Sequence, residues 1–431
     1  MPIPSREAIE LYEARILAYE RGRESRARPA RLRSLPQPAA PDPTSQRGAG
    51  RAALRAREQS RPGRRAHQRP TLLRLRARRI VVLAALILVL DLVVSFWGAM
   101  TAPSNVSVGV RAVEWLRNNG AAGLVSDVER IYYSLNAPAT GGPALKRLPQ
   151  VGTGARLQVS RDAPPAISPV IFPSLPGEGQ WHGTGPLVSG AAPVLVTTYR
   201  PDPNYPQLVA GVAWLDHTRT RLALIPGRYE PPNDGSQPAE VSPALRSVLL
   251  ATFNSGFKLE DSGGGFFSQG QTYAALKDGQ ATLIGYSNGT VDVRTWTGGP
   301  APGPGITFAR QNLPLIIENG QLNPALSNDS LWGATLGNAV RVWRSGVGVD
   351  AHGNLIYAAA DIQTAESLAR VLQRAGAVRA MELDINYEWT TFNYFGAYGA
   401  GDPAKLLPGM DRPTTRYLAP DDRDFFAVYA R

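Results

Sequence analysis

The chain of 431 residues has no cysteine, four histidines and only four lysines. Without cysteine the protein cannot form disulfides, thiolate metal sites or a cysteine nucleophile. The histidines do not form a pair at metal-binding spacing, and we interpret His182 and His217 as structural. A glycine-rich phosphate loop ending in Gly-Lys-Ser/Thr is also absent. These absences disfavour cysteine, histidine–metal and phosphate-loop chemistry, and no cofactor is predicted.

Positive charge is concentrated at the start of the chain. Residues 1–79 hold 20 arginines and 7 acidic residues, a net charge of +13, whereas the remainder carries 26 basic and 28 acidic residues. Residues 25–72 contain few large apolar side chains, so burial cannot offset the entropy of ordering them and we expect disorder. We predict a cytoplasmic basic arm that is attracted to lipid, and we do not expect it to bind nucleic acid. Residues 5–22 carry a helical apolar stripe suited to a partner helix or the leaflet surface, formed by Ile9, Tyr12, Ile16 and Tyr19.

A single apolar run follows the arm. Residues 80–100 are interrupted only by Asp91 and are long enough, at about 1.5 Å per residue, to span the roughly 30 Å hydrocarbon core. The run is too long and too far from the N-terminus for a cleaved signal peptide, so we predict an uncleaved signal anchor. Arginines crowd its N-terminal side as far as Arg79, and the next basic residue is Arg111. The positive-inside rule then predicts a single-pass membrane protein with a cytoplasmic N-terminus and an extracellular segment 101–431.

The extracellular part divides by composition at about residue 190. Residues 101–190 begin with two helical patterns and continue into a segment rich in proline and glycine, which predicts a helical stalk and a linker. From residue 191 onward, short runs rich in β-branched and aromatic residues alternate with Gly, Asn and Pro. We predict an α+β fold for residues 191–431, a mixed β-sheet domain with few helices, preceded by the disordered arm, the transmembrane helix and the stalk.

The clearest helix of this domain is predicted by "TAESLARVLQRAG", with Thr364 as N-cap and Gly376 at its end. The helix lies between the apolar runs "LIYAAA" and "VRAMELDI", so the three elements form a crossover that joins parallel strands. Ligands of such units bind at the carboxyl end of the strand, which is where Glu382, Asp384 and Asn386 lie.

Glu382 and Asp384 are suited to glycosidic cleavage, which commonly uses two carboxyl groups about 5 to 5.5 Å apart for retention or about 6.5 to 9.5 Å for inversion. Residues i and i+2 of a strand share a face with Cα atoms about 6.5 to 7 Å apart, so the pair fits either outcome if the strand reaches Asp384. Arg344 offers a bidentate donor to a phosphodiester or an ion pair to one of these acids, and both alternatives stay open. A divalent cation bound by the carboxylate oxygens of Asp350, Glu382 and Asp384 is a further open alternative.

Four segments, taken in order, resemble the phosphodiester glycosidase family. The strand end "FNSGF" at 253–257 is similar to the family's Asn-Gly-Gly-Phe-Phe turn, and Asn319-Gly320 matches a second strand end. Arg344 in "RSGVGVDAHGNLIYAA" is similar to the arginine before the family's glycine-rich hairpin. Through Leu383 and Asp384, "MELDINYEW" corresponds to a strand ending in Leu-Asp-Gly-Gly-Gly-Ser. The resemblance covers the β-rich domain, and the span and stalk are similar to membrane-anchored bacterial members.

The resemblance implies hydrolysis of a sugar-1-phosphodiester, with a surface glycan or glycopolymer as the substrate of an extracellular domain. It implies catalytic roles for Asp384, Glu382 and Arg344. The two carboxylates would share the acid and the base or nucleophile roles in an order that stays open. Arg344 and Lys258 would bind the phosphate. The candidate substrate-binding residues are Asn254, Lys258, Asn319, Asn386 and Glu388.

The chain departs from the family pattern after Asp384, where Ile385, Asn386 and Tyr387 replace three glycines. Glycines at such positions permit a positive φ or a close approach of the backbone to a ligand. The competing interpretation is a non-catalytic envelope protein that binds a glycan or cell-wall polymer through a degenerate site. The direction of Tyr387 distinguishes the two, because a tyrosine that fills the cleft would leave binding alone.

Overall fold

The computed structural model describes residues 72–431 with several gaps. The chain divides into two compact units, residues 1–74 and 75–431, and the first is described only at its last three residues. The basic arm, the helix expected at residues 5–22 and most of the second stalk helix at 123–138 lie outside the described residues. The undescribed positions are 1–71, 122, 126, 129–139, 142, 144, 154–162, 234, 236, 329–330 and 334–339.

Helices are few in the described part of the chain. The helices with described bounds are α1 (Leu72–Thr101), α2 (Val108–Leu116), α3 (Leu259–Ser262) and α4 (Ala365–Arg374), with a π-helical turn at Arg117–Ala121 and 3-10 turns at Pro243–Val248, Pro324–Ser327 and Arg416–Leu418. Residues 123–125 and 127–128 are also helical. Residues 76–101 of α1 are long and apolar enough to cross a membrane, judged by length and composition. The expected apolar helix near the N-terminus is therefore confirmed, with Asp91 exposed on its surface.

Most of the regular structure of the described domain is β-strand. The strands in chain order are β1 (His182–Gly183), β2 (Val194–Tyr199), β3 (Ala210–Leu215), β4 (Thr220–Ile225), β5 (Leu249–Asn254), β6 (Phe266–Ser268), β7 (Gln271–Ala274), β8 (Ala281–Tyr286), β9 (Val291–Thr295), β10 (Ile306–Gln311), β11 (Leu315–Glu318), β12 (Gln321–Leu322), β13 (Val342–Val349), β14 (Leu355–Gln363), β15 (Arg379–Glu382), β16 (Phe392–Ala397), β17 (Gly401–Lys405) and β18 (Phe425–Ala430).

The strands form three sheets. The largest has eight strands in the order β1-β2-β3-β14-β13-β15-β11-β12, and the two five-stranded sheets have the orders β7-β6-β10-β8-β9 and β17-β16-β5-β18-β4. Neighbouring strands pair antiparallel. The predicted β-sheet domain with few helices is therefore confirmed.

β14, α4 and β15 form the predicted crossover. Both strands pair antiparallel with β13, so they run in the same direction with β13 between them. A capping box starts the helix, because Thr364 Oγ1 accepts from the Ser367 N–H and Ser367 Oγ accepts from the Thr364 N–H. Leu368 and Leu372 pack over Gly346 of β13, where a Cβ would lie only 2.9 Å from Leu372. The helix thus packs closely on the sheet and fixes the direction of β15.

Aromatic rings join the eight-stranded sheet to the sheet that contains β5. The ring centroid of Phe253 in β5 lies 5.3 Å from that of Tyr357 in β14 and 5.0 Å from that of Phe426 in β18. Phe392 of β16 stacks on Phe253 with centroids 6.0 Å apart. Such pairs contribute about 0.5–1.5 kcal/mol each beyond the burial of their surface. This packing holds the ends of strands from both sheets against one another.

Candidate active site

Three strand ends meet at one edge of the packed sheets. β5 ends at Asn254, which pairs with Phe425 at the start of β18, so the residues before β18 lie beside those after β5. β15 ends at Glu382, and the chain stays alongside β13 because the Leu383 N–H donates to the Ser345 carbonyl at 2.8 Å. The residues after β5, after β15 and before β18 therefore share one site.

Asp384 lies at the centre of this edge. Its Oδ2 accepts a hydrogen bond from Arg423 Nη2 at 3.1 Å, and its Oδ1 accepts from the Asn386 N–H at 3.0 Å. Only 4% of the residue is exposed. Burial raises the pKa of Asp384 above its ordinary value, although the positive charge of Arg423 opposes the shift. The carboxylate is thus held in place by one guanidinium and one backbone amide.

Glu382, two residues before Asp384, forms an ion pair with Arg344. Arg344 Nη1 lies 2.6 Å from Glu382 Oε1, and the two residues are 1% and 0% exposed. The other Arg344 hydrogen bonds go to the carbonyls of Gln363, Trp332 and Val340, at 3.0 to 3.2 Å. The ion pair that the sequence left open is therefore formed, and the guanidinium is engaged entirely by the protein.

A group of arginines surrounds Trp389 in the loop after β15. The guanidinium carbons of Arg412, Arg416 and Arg423 lie 5.7, 5.2 and 5.0 Å from its ring centroid. Such contacts are attractive because the face of an indole ring is electronegative. The arginines also pair with carboxylates, and we call the set the arginine–carboxylate cluster: Asp384 with Arg423, Glu388 with Arg412, and Asp421 with Arg416.

The described contacts of Asn254 and Asn386 are to the protein itself. Asn254 Oδ1 accepts from the Thr391 N–H at 3.0 Å, and its Nδ2 donates to Ser345 Oγ at 3.0 Å. Asn386 Oδ1 accepts from the Glu388 N–H at 2.9 Å. These bonds tie the loop after β15 to the neighbouring strands. Asn254 and Asn386 both lie at the candidate site.

Lys258 and Asn319 lie in different places. Lys258 precedes α3, and its Nζ is 3.6 Å from Glu114 Oε1 of α2. Asn319 is in the turn between β11 and β12, with φ at +50°. Because β11 pairs antiparallel with β15, that turn lies beside Val378 at the start of β15, where the Gly320 N–H donates to the Val378 carbonyl at 2.8 Å. The structure does not bring Asn319 to the edge that holds Asp384.

The residues that replace the family's glycines do not fill the site. Ile385 is buried in a small apolar cluster with Phe257 and Val342. Tyr387 is 46% exposed and hydrogen-bonds to Glu388. The tyrosine is therefore partly exposed and is not buried against the carboxylate of Asp384.

Several residues of the site carry no motif that sequence analysis singled out. Arg423 and Asp421 come from the run "DDRD" before β18, whose density of charge just before an apolar strand was the available signal. Asn312 follows β10, and its Nδ2 donates to the carbonyls of Glu382 and Leu383 at 2.8 and 3.0 Å. Its Oδ1 is buried without a described partner. These residues are far apart in the sequence, so local sequence patterns do not predict that they lie together.

One serine sits in a pattern that elsewhere marks a nucleophile. Residues 285–289 read Gly-Tyr-Ser-Asn-Gly, the spacing of a nucleophile elbow. In the structure these residues lie at the turn that joins β8 to β9, two antiparallel strands. An elbow requires a turn from a strand into a helix. Ser287 is therefore a hairpin residue.

The segment between α1 and α2 lies against the arginine–carboxylate cluster. Ser104 Oγ donates to a carboxylate oxygen of Asp422, and Asn105 Nδ2 donates to Asp421 Oδ2 at 2.8 Å. Arg412 Nη2 donates to the Asn105 carbonyl at 2.7 Å. The residues that join the apolar helix to the domain thus contact the outer side of the site.

Asp350, Glu382 and Asp384 do not form a metal-binding group in the described structure. Among the described residues, no group of three or more His, Asp or Glu side chains is arranged to hold a metal ion. Asp350 accepts hydrogen bonds from Trp214 Nε1 and Asn354 Nδ2 at 3.1 and 3.0 Å. It follows β13 at the end away from Glu382, because Val349 pairs with Arg379 at the start of β15.

Glu382 is expected to give the fold a pH dependence. Burial raises the pKa of Glu382 from 4.5 to about 7, against the opposing charge of Arg344. The folded state binds this proton more tightly than the unfolded chain does. Proton binding at Glu382 therefore stabilises the folded state fully below pH 4.5, and this stabilisation is lost as pH rises through about 7. Relative to the parent, Glu382→Gln should therefore gain up to about 3 kcal/mol of stability across this interval.

Chemical unfolding of the full chain in detergent between pH 4.5 and pH 8 measures this difference. Glu366→Gln is the matched control, since Glu366 lies on the exposed side of α4 in an ion pair with Arg370. Its stability relative to the parent should not change with pH. A flat difference for Glu382→Gln as well would contradict the role assigned to this carboxyl.

Comparison with known proteins identifies one family and several similar structures. Residues 248–384 match the family model of phosphodiester glycosidase, which confirms the resemblance for that segment. The catalytic domain of zebrafish N-acetylglucosamine-1-phosphodiester alpha-N-acetylglucosaminidase, auto-inhibited by its pro-peptide, is similar with 15% identity and a TM-score of 0.39, over 56% of this chain and 85% of that chain.

Two further solved structures are similar at 14% identity. A hypothetical protein from Synechocystis has a TM-score of 0.34 over 57% of this chain and 64% of that chain. A putative exported protein from Burkholderia pseudomallei has a TM-score of 0.31 over 54% of this chain and 75% of that chain. No curated protein sequence matches the chain.

Proposed function

We propose that the phosphodiester glycosidase domain of this chain hydrolyses the bond between the anomeric carbon of a sugar and a phosphodiester oxygen. The observation that supports the proposal is the position of Asp384. It is the last residue of the segment 248–384 that matches the family, and it pairs with Arg423 at the edge where three strand ends meet. A glycosidase needs a carboxylate at the anomeric carbon, and a phosphodiester substrate brings a negative charge that suits an arginine.

In this proposal Asp384 is the carboxylate that meets the sugar. Arg423 and Arg412, both less than one-tenth exposed, attract the phosphodiester anion, and Lys258 adds charge at the rim. The ion pair of Glu382 and Arg344 stabilises the end of β15, which precedes Asp384. Because these two residues are fully buried and bonded to each other, we assign them a positioning role rather than a contact with the substrate.

We further propose that the domain acts on a surface glycan or glycopolymer. α1 is apolar enough to serve as a single membrane span, and the arginines before it favour a cytoplasmic N-terminus. The domain would then face the extracellular side. The short segment at Ser104 and Asn105 would hold the site close to the membrane surface, within reach of polymers anchored there.

A second function, glycan binding without hydrolysis, is favoured by one observation. Tyr387 takes the place of a family glycine and is 46% exposed beside the site, where an aromatic ring offers an apolar face to a sugar. Binding without turnover would follow if Ile385, Asn386 and Tyr387 had removed the backbone approach that the glycines allow.

Turnover of a sugar-1-phosphodiester panel by the full chain in detergent distinguishes the two functions. We expect release of free sugar and a phosphomonoester from at least one member, detected by chromatography of the products. Retained binding of the panel with no product from any member would support the glycan-binding function and reject hydrolysis. Neither binding nor turnover would reject both.

A further inference from the structure

Glu230 lies at the same edge of the domain as Asp384 but outside the segment 248–384 that matches the family. It follows β4, whose last residue pairs with the first residue of β18. Beyond this pair, the backbones of Glu230 and Arg423 form an isolated parallel bridge. The fold therefore places Glu230 directly beside the arginine that is paired with Asp384.

Only one oxygen of the Glu230 carboxylate accepts a described hydrogen bond. Its Oε1 accepts the Leu259 N–H at 2.6 Å, and no described residue hydrogen-bonds to its Oε2. The side chain is half-buried, whereas Glu382 is fully buried and bonded to Arg344 at 2.6 Å. Of these two glutamates, Glu230 is the one with an oxygen available to a substrate.

The loop after β5 lies between Glu230 and Asp384. Arg423 Nη2 donates both to the Gly256 carbonyl, at 3.0 Å, and to Asp384 Oδ2, at 3.1 Å. Leu259, three residues after Gly256, binds Glu230 through its backbone N–H. Two carboxyl groups thus flank one guanidinium and one short loop, and glycosidic cleavage commonly uses two carboxyl groups.

The charges around Glu230 favour its protonated form. Burial raises the pKa of Glu230, and the negative charge of Asp424 raises it further, while the Leu259 N–H, Arg423 and Arg310 oppose the shift. A carboxyl group whose pKa is raised is better suited to hold a proton and donate it to a leaving group. Glu230 combines this property with an accessible oxygen.

We propose that Glu230 is the general acid of the sugar-1-phosphodiester hydrolysis, an inference that rests on the proposed function. Glu230 donates its proton to the phosphate oxygen bonded to C1 as the C1–O bond breaks, and the electron pair of that bond stays on the oxygen. Water bonds to C1 and gives its proton to Asp384. The products are the free sugar and a phosphomonoester, and proton exchange with solvent restores both carboxyl groups.

Glu230→Gln tests this role in the full chain in detergent. Glutamine can still accept the Leu259 N–H, so the variant should fold and melt like the parent. With the phosphodiester that the parent hydrolyses best, kcat/KM should fall at least about a hundredfold. With the 1-fluoride of the same sugar, whose leaving group needs no proton, kcat/KM should stay within about fivefold of the parent. We expect kcat/KM of the parent for the phosphodiester to fall at high pH as Glu230 loses its proton, and this fall should be absent from Glu230→Gln.

Glu366→Gln, on the exposed side of α4, is the control and should match the parent on both substrates. If Glu230→Gln hydrolyses the phosphodiester within about fivefold of the parent, the acid role is overturned while the proposed function stands. An equal loss on phosphodiester and fluoride would also overturn it, since a purely structural role predicts that pattern. If the parent releases no sugar from any phosphodiester, the proposed function fails and this inference fails with it.

Discussion

Replacing Asp384 by asparagine is expected to lower kcat/KM for a sugar-1-phosphodiester at least a hundredfold, or about 2.7 kcal/mol of transition-state stabilisation. Asparagine preserves the shape of the side chain, and its oxygen can still accept the Asn386 N–H. It cannot accept a proton or carry the negative charge opposite Arg423. The effect should therefore fall on kcat more than on KM, as steady-state kinetics of the full chain would show.

Asp350→Asn is the matched control for this substitution. Asp350 lies on the turn after β13, at the end of the sheet away from Asp384, and accepts a hydrogen bond from Trp214 Nε1 at 3.1 Å. We expect its kcat/KM to stay within about threefold of the parent, because a distant surface turn does not touch the substrate. Activity of Asp384→Asn within tenfold of the parent would remove Asp384 from the chemistry.

Arg344→Met is expected to destabilise the domain by about 3–5 kcal/mol at pH 8, because it removes the partner of the buried carboxylate of Glu382. Three backbone carbonyls, of Gln363, Trp332 and Val340, also lose their donor. The loss should be larger at pH 8 than at pH 5, because burial raises the pKa of Glu382 to about 7 even beside Arg344, so at pH 5 the acid is protonated and needs no cation. Chemical unfolding at pH 5 and pH 8 measures both effects.

The double variant Arg344→Met/Glu382→Leu separates charge from packing. It should recover part of the stability lost by Arg344→Met, because the unpaired carboxylate is gone although the three carbonyls remain without a donor. Arg370→Met is the control for an exposed pair: Arg370 and Glu366 are 59% and 43% exposed at the side chain, so the loss should stay below about 1 kcal/mol. Equal losses for Arg344→Met and Arg370→Met would show that burial does not set the strength of the Arg344 ion pair.

Much of the domain could be predicted because its signals are local. The run "TAESLARVLQRAG" contains the whole pattern of α4, from the Thr364 cap to Gly376, so the crossover and the direction of β15 followed. The apolar run "LIYAAA" at 355–360 lies within β14 (Leu355–Gln363), which continues three residues further. Asp384 is predicted as a site residue in the same way, because it is an acidic residue at the end of a predicted strand.

Other parts of the site depend on contacts between distant segments. Arg423 lies 39 residues from Asp384 and precedes a strand of another sheet, so the two meet only because the two sheets pack together. Glu230 belongs to a different segment again, and its place beside Arg423 depends on the pairing of β4 with β18. Asn319 shows the opposite case, because an Asn-Gly turn after a strand indicates neither which strand is its neighbour nor in which direction that neighbour runs.

The sequence by itself determined the apolar helix, the β-rich domain with its crossover, and a carboxylate at the end of β15, since periodicity, capping and strand ends are written in neighbouring residues. The tertiary structure alone decided which charges meet. It joined Arg344 to Glu382 and Arg423 to Asp384, and it left Glu230 with an accessible oxygen. Charge pairing in a buried site is set by three-dimensional distance and desolvation, and neither quantity can be obtained from the order of residues along the chain.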